Sequence, residues 1–297
     1  MMHFVSAGIL VRAALCVALS STLFVRCVAS ASAQLIVAHR GASGEAPENT
    51  GAAFKLAWRQ GADAIEGDFY LSRDGEIVCM HDRTTERTAG VNLTVAEATL
   101  AELQQLDVGA WKSPRFAGEK ILTLTQVLEL VPTDKKIFIE IKCGPEIVPA
   151  LERTLSRLDV PPEQAVVISF QDDVIAAVKK RLPKYQAYWL VGFKQNEQTG
   201  AWGPGVDRVV ATASRIGADG VDLQATPEML DAPFVARCRD AGLGVHTWTV
   251  DDPARARQLQ ALGVDSITTN LPAKLRRALE LETVSTETSL SVGTPTR

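Results

Sequence analysis

Three acidic side chains and two histidines carry the chemistry open to this sequence. Glu66 and Asp68 stand one residue apart in the apolar run Ala64 to Phe69, and Glu140 and Lys142 repeat that spacing in Ile137 to Lys142. Alternate residues of a strand point to the same side, so each pair presents both of its charges to one face. Three acids gathered inside a protein repel one another unless a proton or a cation relieves them. One divalent ion is the economical relief, and oxygen ligands of this hardness suit magnesium or calcium. The competing reading is a buried ionic network in which Arg40 and Lys142 neutralise the acids without catalysis.

His39-Arg40-Gly41 and His81-Asp82 place two of the four histidines beside charge, at expected strand or loop ends. A lone histidine is commonly structural, but two in such settings suit acid–base chemistry near neutral pH. Asp82 reads either as the partner that orients His81 or as a turn residue. His246 has no supporting motif and stays unassigned. Trp248 suits core packing and packing against a substrate equally, whereas Trp111 and Phe116 read as packing residues of an inserted segment.

The elements that must hold these residues alternate. Short runs rich in β-branched residues predict strands at Leu35 to His39, Ala64 to Phe69, Ile137 to Lys142, Ala165 to Ser169, Ala187 to Val191, Gly220 to Leu223, Val245 to Val250 and Ser266 to Thr269. Helices are predicted over Asn49 to Gln60, Glu146 to Arg157, Asp172 to Arg181, Pro227 to Asp240 and Pro253 to Leu262, each starting near Pro, Asp or Asn. Eight strands alternating with helices, and no Gly-x-Gly-x-x-Gly turn after the first, favour an α/β fold closed as a (β/α)8 TIM barrel over an open sheet. The candidate residues then sit at or near the C-terminal strand ends, where barrel enzymes build their sites. The stretch from Leu71 to Lys136 is too long for a plain connection. It predicts a small inserted subdomain above the barrel mouth, with an amphipathic helix over Val95 to Leu106.

At 297 residues, 46% hydrophobic, the chain is long enough for one large core, and its formal charge of -4 argues against a nucleic-acid partner. The apolar run Ala13 to Val25 after Arg12, followed by Ala31-Ser32-Ala33, predicts a signal peptide over residues 1–33 cleaved before Gln34. The protein is therefore expected to be secreted or periplasmic, with no stable membrane insertion afterwards. Of the five cysteines only Cys79, Cys143 and Cys238 would remain, too few for a disulfide scaffold, and they read as buried thiols. Residues 281–297 are rich in Thr and Ser and predict a disordered tail after a barrel spanning 34–280.

The succession His39-Arg40-Gly41, Pro47-Glu48-Asn49-Thr50, Gly61-Ala62-Asp63, Glu66-x-Asp68, Asp74-Gly75 and His81-Asp82 resembles the signature of the glycerophosphodiester phosphodiesterases. The similarity continues through Glu140-Ile141-Lys142, Ser169-Phe170, Trp248-Thr249-Val250 and Thr269-Asn270, covering nearly all of the chain from about Leu35 to Ala273. It implies a phosphatidylinositol phospholipase C-like barrel that hydrolyses small-molecule glycerophosphodiesters to glycerol 3-phosphate and an alcohol. Glu66, Asp68 and Glu140 would form the metal site, His39 and His81 the acid–base pair, and Arg40 and Lys142 would hold phosphate oxygens, with Trp248 against the substrate. A cyclic phosphate formed by the neighbouring glycerol hydroxyl is one route the resemblance suggests. Ser72, Leu122 and Asp251 depart from the pattern, where Thr, Pro and Asn are usual. A phospholipase D-like enzyme acting on lysophospholipids or sphingolipids, and a non-catalytic phosphate-ester-binding barrel, are the rivals.

Overall fold

The structure, a computed structural model, describes residues 34–280. The expected signal segment 1–33 and tail 281–297 lie outside the described residues. Strands β1 (Leu35–Ala38), β2 (Ala64–Leu71), β3 (Ile77–Cys79), β4 (Lys136–Ile141), β5 (Ala165–Ser169), β6 (Gln186–Val191), β7 (Lys194–Gln195), β8 (Trp202–Gly203), β9 (Gly220–Gln224), β10 (Gly244–Trp248) and β11 (Ser266–Thr269) follow in chain order. The helices are α1 (Gly51–Arg59), α2 (Glu86–Ala89), α3 (Leu100–Leu103), α4 (Leu124–Leu128), α5 (Val148–Arg157), α6 (Asp172–Arg181), α7 (Val206–Ile216), α8 (Ala232–Asp240) and α9 (Pro253–Ala261), with residues 272–280 also helical.

Eight parallel strands run in the order β1-β2-β4-β5-β6-β9-β10-β11, and β1 pairs with both β2 and β11, closing the barrel. This is the (β/α)8 barrel that the alternation predicts, and all eight predicted barrel strands are present within one or two residues of their expected bounds. Alternation of side chains decides the two layers. Ile65, Ile137, Ile139, Val167, Val221 and Ile267 face outward into the main core with the helices. Val37, Ala64, Phe138, Val166, Ile168, Tyr188 and Leu190 fill the interior. Each fully buried valine, isoleucine, leucine or phenylalanine among them contributes about 1.5–3 kcal/mol.

Several local boundaries differ from the sequence expectations. The first helix begins at Gly51, because Thr50 is its cap, its Oγ1 accepting from Ala53 N, and Asn49 is drawn off at φ 60°. The helix expected over Pro227 to Asp240 begins at Ala232, capped by Asp231. The amphipathic helix expected over Val95 to Leu106 is broken. A 3-10 turn Val95–Glu97 ends at Ala98, and Thr99 opens α3 with a capping box to Glu102 that competes with one continuous helix. The sequence reading did not foresee α7: its β-branched residues weaken the helical signal, and the burial of Val209, Val210, Ala213 and Ile216 on one face overrides it.

The connection from β2 to β4 carries β3, which returns antiparallel along β2 in the register Phe69 to Cys79. Its own apolar cluster includes Val78, Met80, Val95, Leu103 and Ile121. Trp111, expected to pack there, is 43% exposed instead, with the Lys112 ammonium over its ring. Cys79 and Cys238 are buried and Cys143 half-buried, all as free thiols. No described helix is long and apolar enough to cross a membrane.

Candidate active site

The ends of β2 and β4 bring the acids together because the register sets Asp68 beside Glu140. One carboxylate oxygen from each of Glu66, Asp68 and Glu140 lies within 4.8 Å of the others. Arg40 Nε stands 3.1 Å from Asp68 Oδ2, and Lys142 Nζ stands 3.3 Å from Asp68 Oδ1 and 2.7 Å from Glu140 Oε1. The ionic network weighed from sequence is therefore real, yet it is incomplete. Three acids against two cations leave one negative charge, and the buried oxygens Glu66 Oε1 and Asp68 Oδ1 receive no hydrogen bond. Burial, then Asp68 and Glu140, push the Glu66 carboxyl well above its usual range. Burial and Asp68 raise Glu140 to about 7 against the opposing Lys142. Asp68 stays below its usual range despite burial, because Arg40 and Lys142 outweigh that cost. Hard oxygens crowded by their own repulsion, Glu66 Oε1 with neither hydrogen bond nor ion pair among the described residues, fit a divalent cation.

A tight turn after β1 shapes the cationic side. Arg40 sits at φ 55° and Gly41 at φ 76°, and a Cβ on Gly41 would come within 2.6 Å of the Ala53 backbone. A left-handed arginine costs on the order of 1–3 kcal/mol. The turn aims the Arg40 N–H at Glu66 Oε2 (2.8 Å) and its Nη1 at Glu48 Oε1 (3.0 Å). Asn49 braces the same region, its Nδ2 donating to Asp68 Oδ2 at 2.9 Å.

The two imidazoles have different partners. His39 Nδ1 lies 2.8 Å from Asn270 Oδ1, while Asn270 Nδ2 donates to Asp251 Oδ2 at 2.6 Å and Asn270 N donates to Asp251 Oδ1 at 2.8 Å. With Nδ2 donating to a carboxylate and Ser43 Oγ donating to its Oδ1 at 2.8 Å, Asn270 presents oxygen to His39. The ring therefore carries its proton on Nδ1 and keeps Nε2 as an acceptor. Burial and the Arg40 charge hold His39 below the ordinary histidine value. His81 Nδ1 instead lies 2.6 Å from Asp82 Oδ1. Arg87 Nε donates to Asp82 Oδ2 at 2.6 Å, and Arg87 Nη2 donates to Glu48 Oε1 at 2.6 Å. Against the cost of burial, the bonds from Arg87 and His81 hold the Asp82 carboxyl below its usual range. Helix α2 of the insertion thus supplies the residue that ties His81 to Glu48 and Arg40.

His39, Arg40, Glu66, His81, Glu140, Lys142 and Trp248 line one cavity of about 240 Å³. Asp68 stands behind them, fully buried. All eight residues singled out from sequence therefore meet at one place. Trp248 forms a wall, edge-to-face with Phe170 at 5.3 Å between ring centres. His246 faces the barrel interior away from this cavity, bonded to Ser266 Oγ at 2.8 Å and stacked on Tyr188 at 4.1 Å. Sequence reasoning missed Asn270, Glu48 and Arg87 as partners, and Asp222, which also lines the cavity. Glu48 and Asn270 stand in the quoted signature without a role, Asp222 shows only as an acid between Val221 and Leu223, and Arg87 has no signal in the sequence.

A profile of the glycerophosphoryl diester phosphodiesterase family matches residues 39–274. The chain belongs to this family. It is 34% identical over 245 residues to a glycerophosphodiester phosphodiesterase of Caldanaerobacter subterraneus subsp. tengcongensis, covering 81% of this chain and 96% of that one. A glycerophosphodiester phosphodiesterase of Bacillus subtilis is 30% identical over 255 residues, with 80% and 84% covered. Among solved structures, an Oleispira antarctica phosphodiesterase in complex with the product sn-glycerol-3-phosphate superposes with a TM-score of 0.72 at 28% identity, covering 83% of this chain and 96% of that one. As a member of the glycerophosphoryl diester phosphodiesterase family, the chain has its acid cluster, both imidazoles and both cations within the matched span.

Proposed function

We propose that this enzyme hydrolyses glycerophosphodiesters to glycerol 3-phosphate and a free alcohol, by His39/His81 acid–base catalysis beside one divalent ion. The observation that carries the reading is the pairing of two differently partnered imidazoles with a carboxylate triad that retains unsatisfied oxygens. Glu66, Asp68 and Glu140 would hold magnesium or calcium, which when bound would polarise and orient a phosphoryl oxygen. Arg40 and Lys142 supply positive charge for phosphoryl oxygens, which gain negative charge as the transition state forms. His39, with Nε2 free to accept, takes the proton of the attacking hydroxyl as its oxygen bonds to phosphorus; that hydroxyl is water, or it is the glycerol's own, in which case water then adds to the cyclic phosphate, giving its proton to one imidazole while the other protonates the ring oxygen that leaves. His81 gives a proton to the departing alkoxide as the second P–O bond breaks, and Asp82 balances the charge of its protonated ring. His39→Ala and His81→Ala should each lower kcat by about 10²- to 10⁴-fold while the circular dichroism spectrum stays native. Near-normal turnover in either variant refutes the assignment.

A second cavity of about 610 Å³ shares Phe170 and Leu190 with the first and is lined by Trp189, Trp202, Lys194 and Arg208. Its aromatic wall supports a second reading, phospholipase D-like action on lysophospholipids. Relative turnover of glycerophosphocholine and micellar lysophosphatidylcholine separates the two.

A further inference from the structure

Asp222 sits on β9 between Val221 and Leu223, which face outward into the main core, so its carboxyl points into the barrel. It is 1% exposed and lines the cavity with Ile168, Leu190 and Thr268. Its Oδ1 is buried without a hydrogen bond, and among the described residues no ion pair reaches it. The nearby Trp248 indole N–H donates to the Asp222 backbone oxygen at 3.0 Å and leaves the carboxyl free. Asp222 is also outside the acid triad that fits a metal.

A buried carboxyl with no partner is destabilising, and a leucine of similar shape would fill this apolar setting better. Burial, and to a lesser degree Glu140, push its pKa up to about 8, and in either protonation state its oxygens accept from a hydroxyl. That is the chemistry a hydroxyl requires. The cavity is small, as suits a triol phosphate, while the variable alcohol has the wider cavity beyond Phe170 and Leu190.

We propose that Asp222 is a specificity-determining residue that hydrogen-bonds a hydroxyl of the glycerol unit, directing the polyol side of the diester into the barrel and the head group toward the Trp189 and Trp202 cavity. This rests on the phosphodiesterase reading above. It is tested with Asp222→Leu and Asp222→Asn, each assayed with glycerophosphocholine and with bis(p-nitrophenyl) phosphate, which has no glycerol. The ratio of kcat/KM between the two substrates should fall about tenfold in the leucine variant, the worth of one hydrogen bond, and by less than threefold in the asparagine variant, whose amide still donates and accepts. Tm of the leucine variant should equal or exceed that of the wild type, and titration with sn-glycerol 3-phosphate should weaken in parallel. An unchanged ratio, or a fall in Tm with equal losses on both substrates, overturns the role of Asp222 and leaves the phosphodiesterase reading standing. Wild-type turnover of bis(p-nitrophenyl) phosphate without any turnover of glycerophosphodiesters overturns both.

Discussion

Replacing Asp251 by asparagine changes one atom that touches neither cavity nor substrate, and it should nevertheless cripple His39. Asp251 Oδ1 accepts from Thr269 Oγ1 and Asn270 N, both at 2.8 Å, and Oδ2 accepts from Asn270 Nδ2 at 2.6 Å. Asparagine keeps an oxygen at the first position and sets an NH2 against the Asn270 NH2 at the second. Two donors face to face forfeit a charge-assisted bond of about 1.5–3 kcal/mol, more than the roughly 1 kcal/mol lost at His39 when the Asn270 amide turns over. The turned amide presents Nδ2 to His39 Nδ1, so the imidazole proton must move to Nε2, the nitrogen that the proposed mechanism uses as acceptor. A mis-set tautomer costs up to about 10⁴-fold in turnover. Because the competent tautomer survives as a minority, kcat of Asp251→Asn is expected to fall by about 10²- to 10³-fold with Tm nearly unchanged. The double variant Asp251→Asn/Asn270→Asp puts a carboxylate at 270 that accepts from both His39 Nδ1–H and the new amide, and should return to within about tenfold of wild type. Steady-state kinetics measures both, and the ¹⁵N shifts of His39 report the tautomer. A single variant at wild-type rate, or a double variant no better than the single, refutes the reasoning.

Dialysis against a chelator should abolish activity, and magnesium or calcium should restore it. The same ion should raise Tm, by the equivalent of about 2.7 kcal/mol at a hundred times its Kd, and Glu66→Gln should blunt that rise if the triad is the site. His246 offers a stability test: burial lowers its pKa to about 4. The unfolded chain therefore takes up the proton first, and the histidine lowers stability progressively as pH falls below about 6.5, with no such cost at pH 8. Urea unfolding should show the stability difference between wild type and His246→Gln shifting by about 2 kcal/mol against the wild type between pH 8 and pH 5. An equal difference at both values would show that His246 does not remain neutral. Mass spectrometry of protein recovered from the medium or periplasm should find Gln34 as its first residue, and an intact Met1 form there would contradict export by a cleaved signal.

The candidate site residues were legible wherever strand alternation alone aimed them. Glu66 and Asp68, or Glu140 and Lys142, share a face in any strand, and the βα alternation that closes the barrel follows from local apolar periodicity. What the sequence could not carry is pairing between residues far apart along the chain. Asn270 meets His39 across 231 positions because β1 and β11 close the barrel, and no local pattern marks an asparagine for that duty. Glu48, Arg87 and Asp82 join only when the insertion folds back over the turn after β1. The buried carboxyl of Asp222 looks, in sequence, like any acid interrupting a strand; burial and the absence of a partner exist only once the strands close around it. Local periodicity decided which way each side chain points, and closure of the barrel decided what it meets there, because contact across the interior depends on which strands become neighbours.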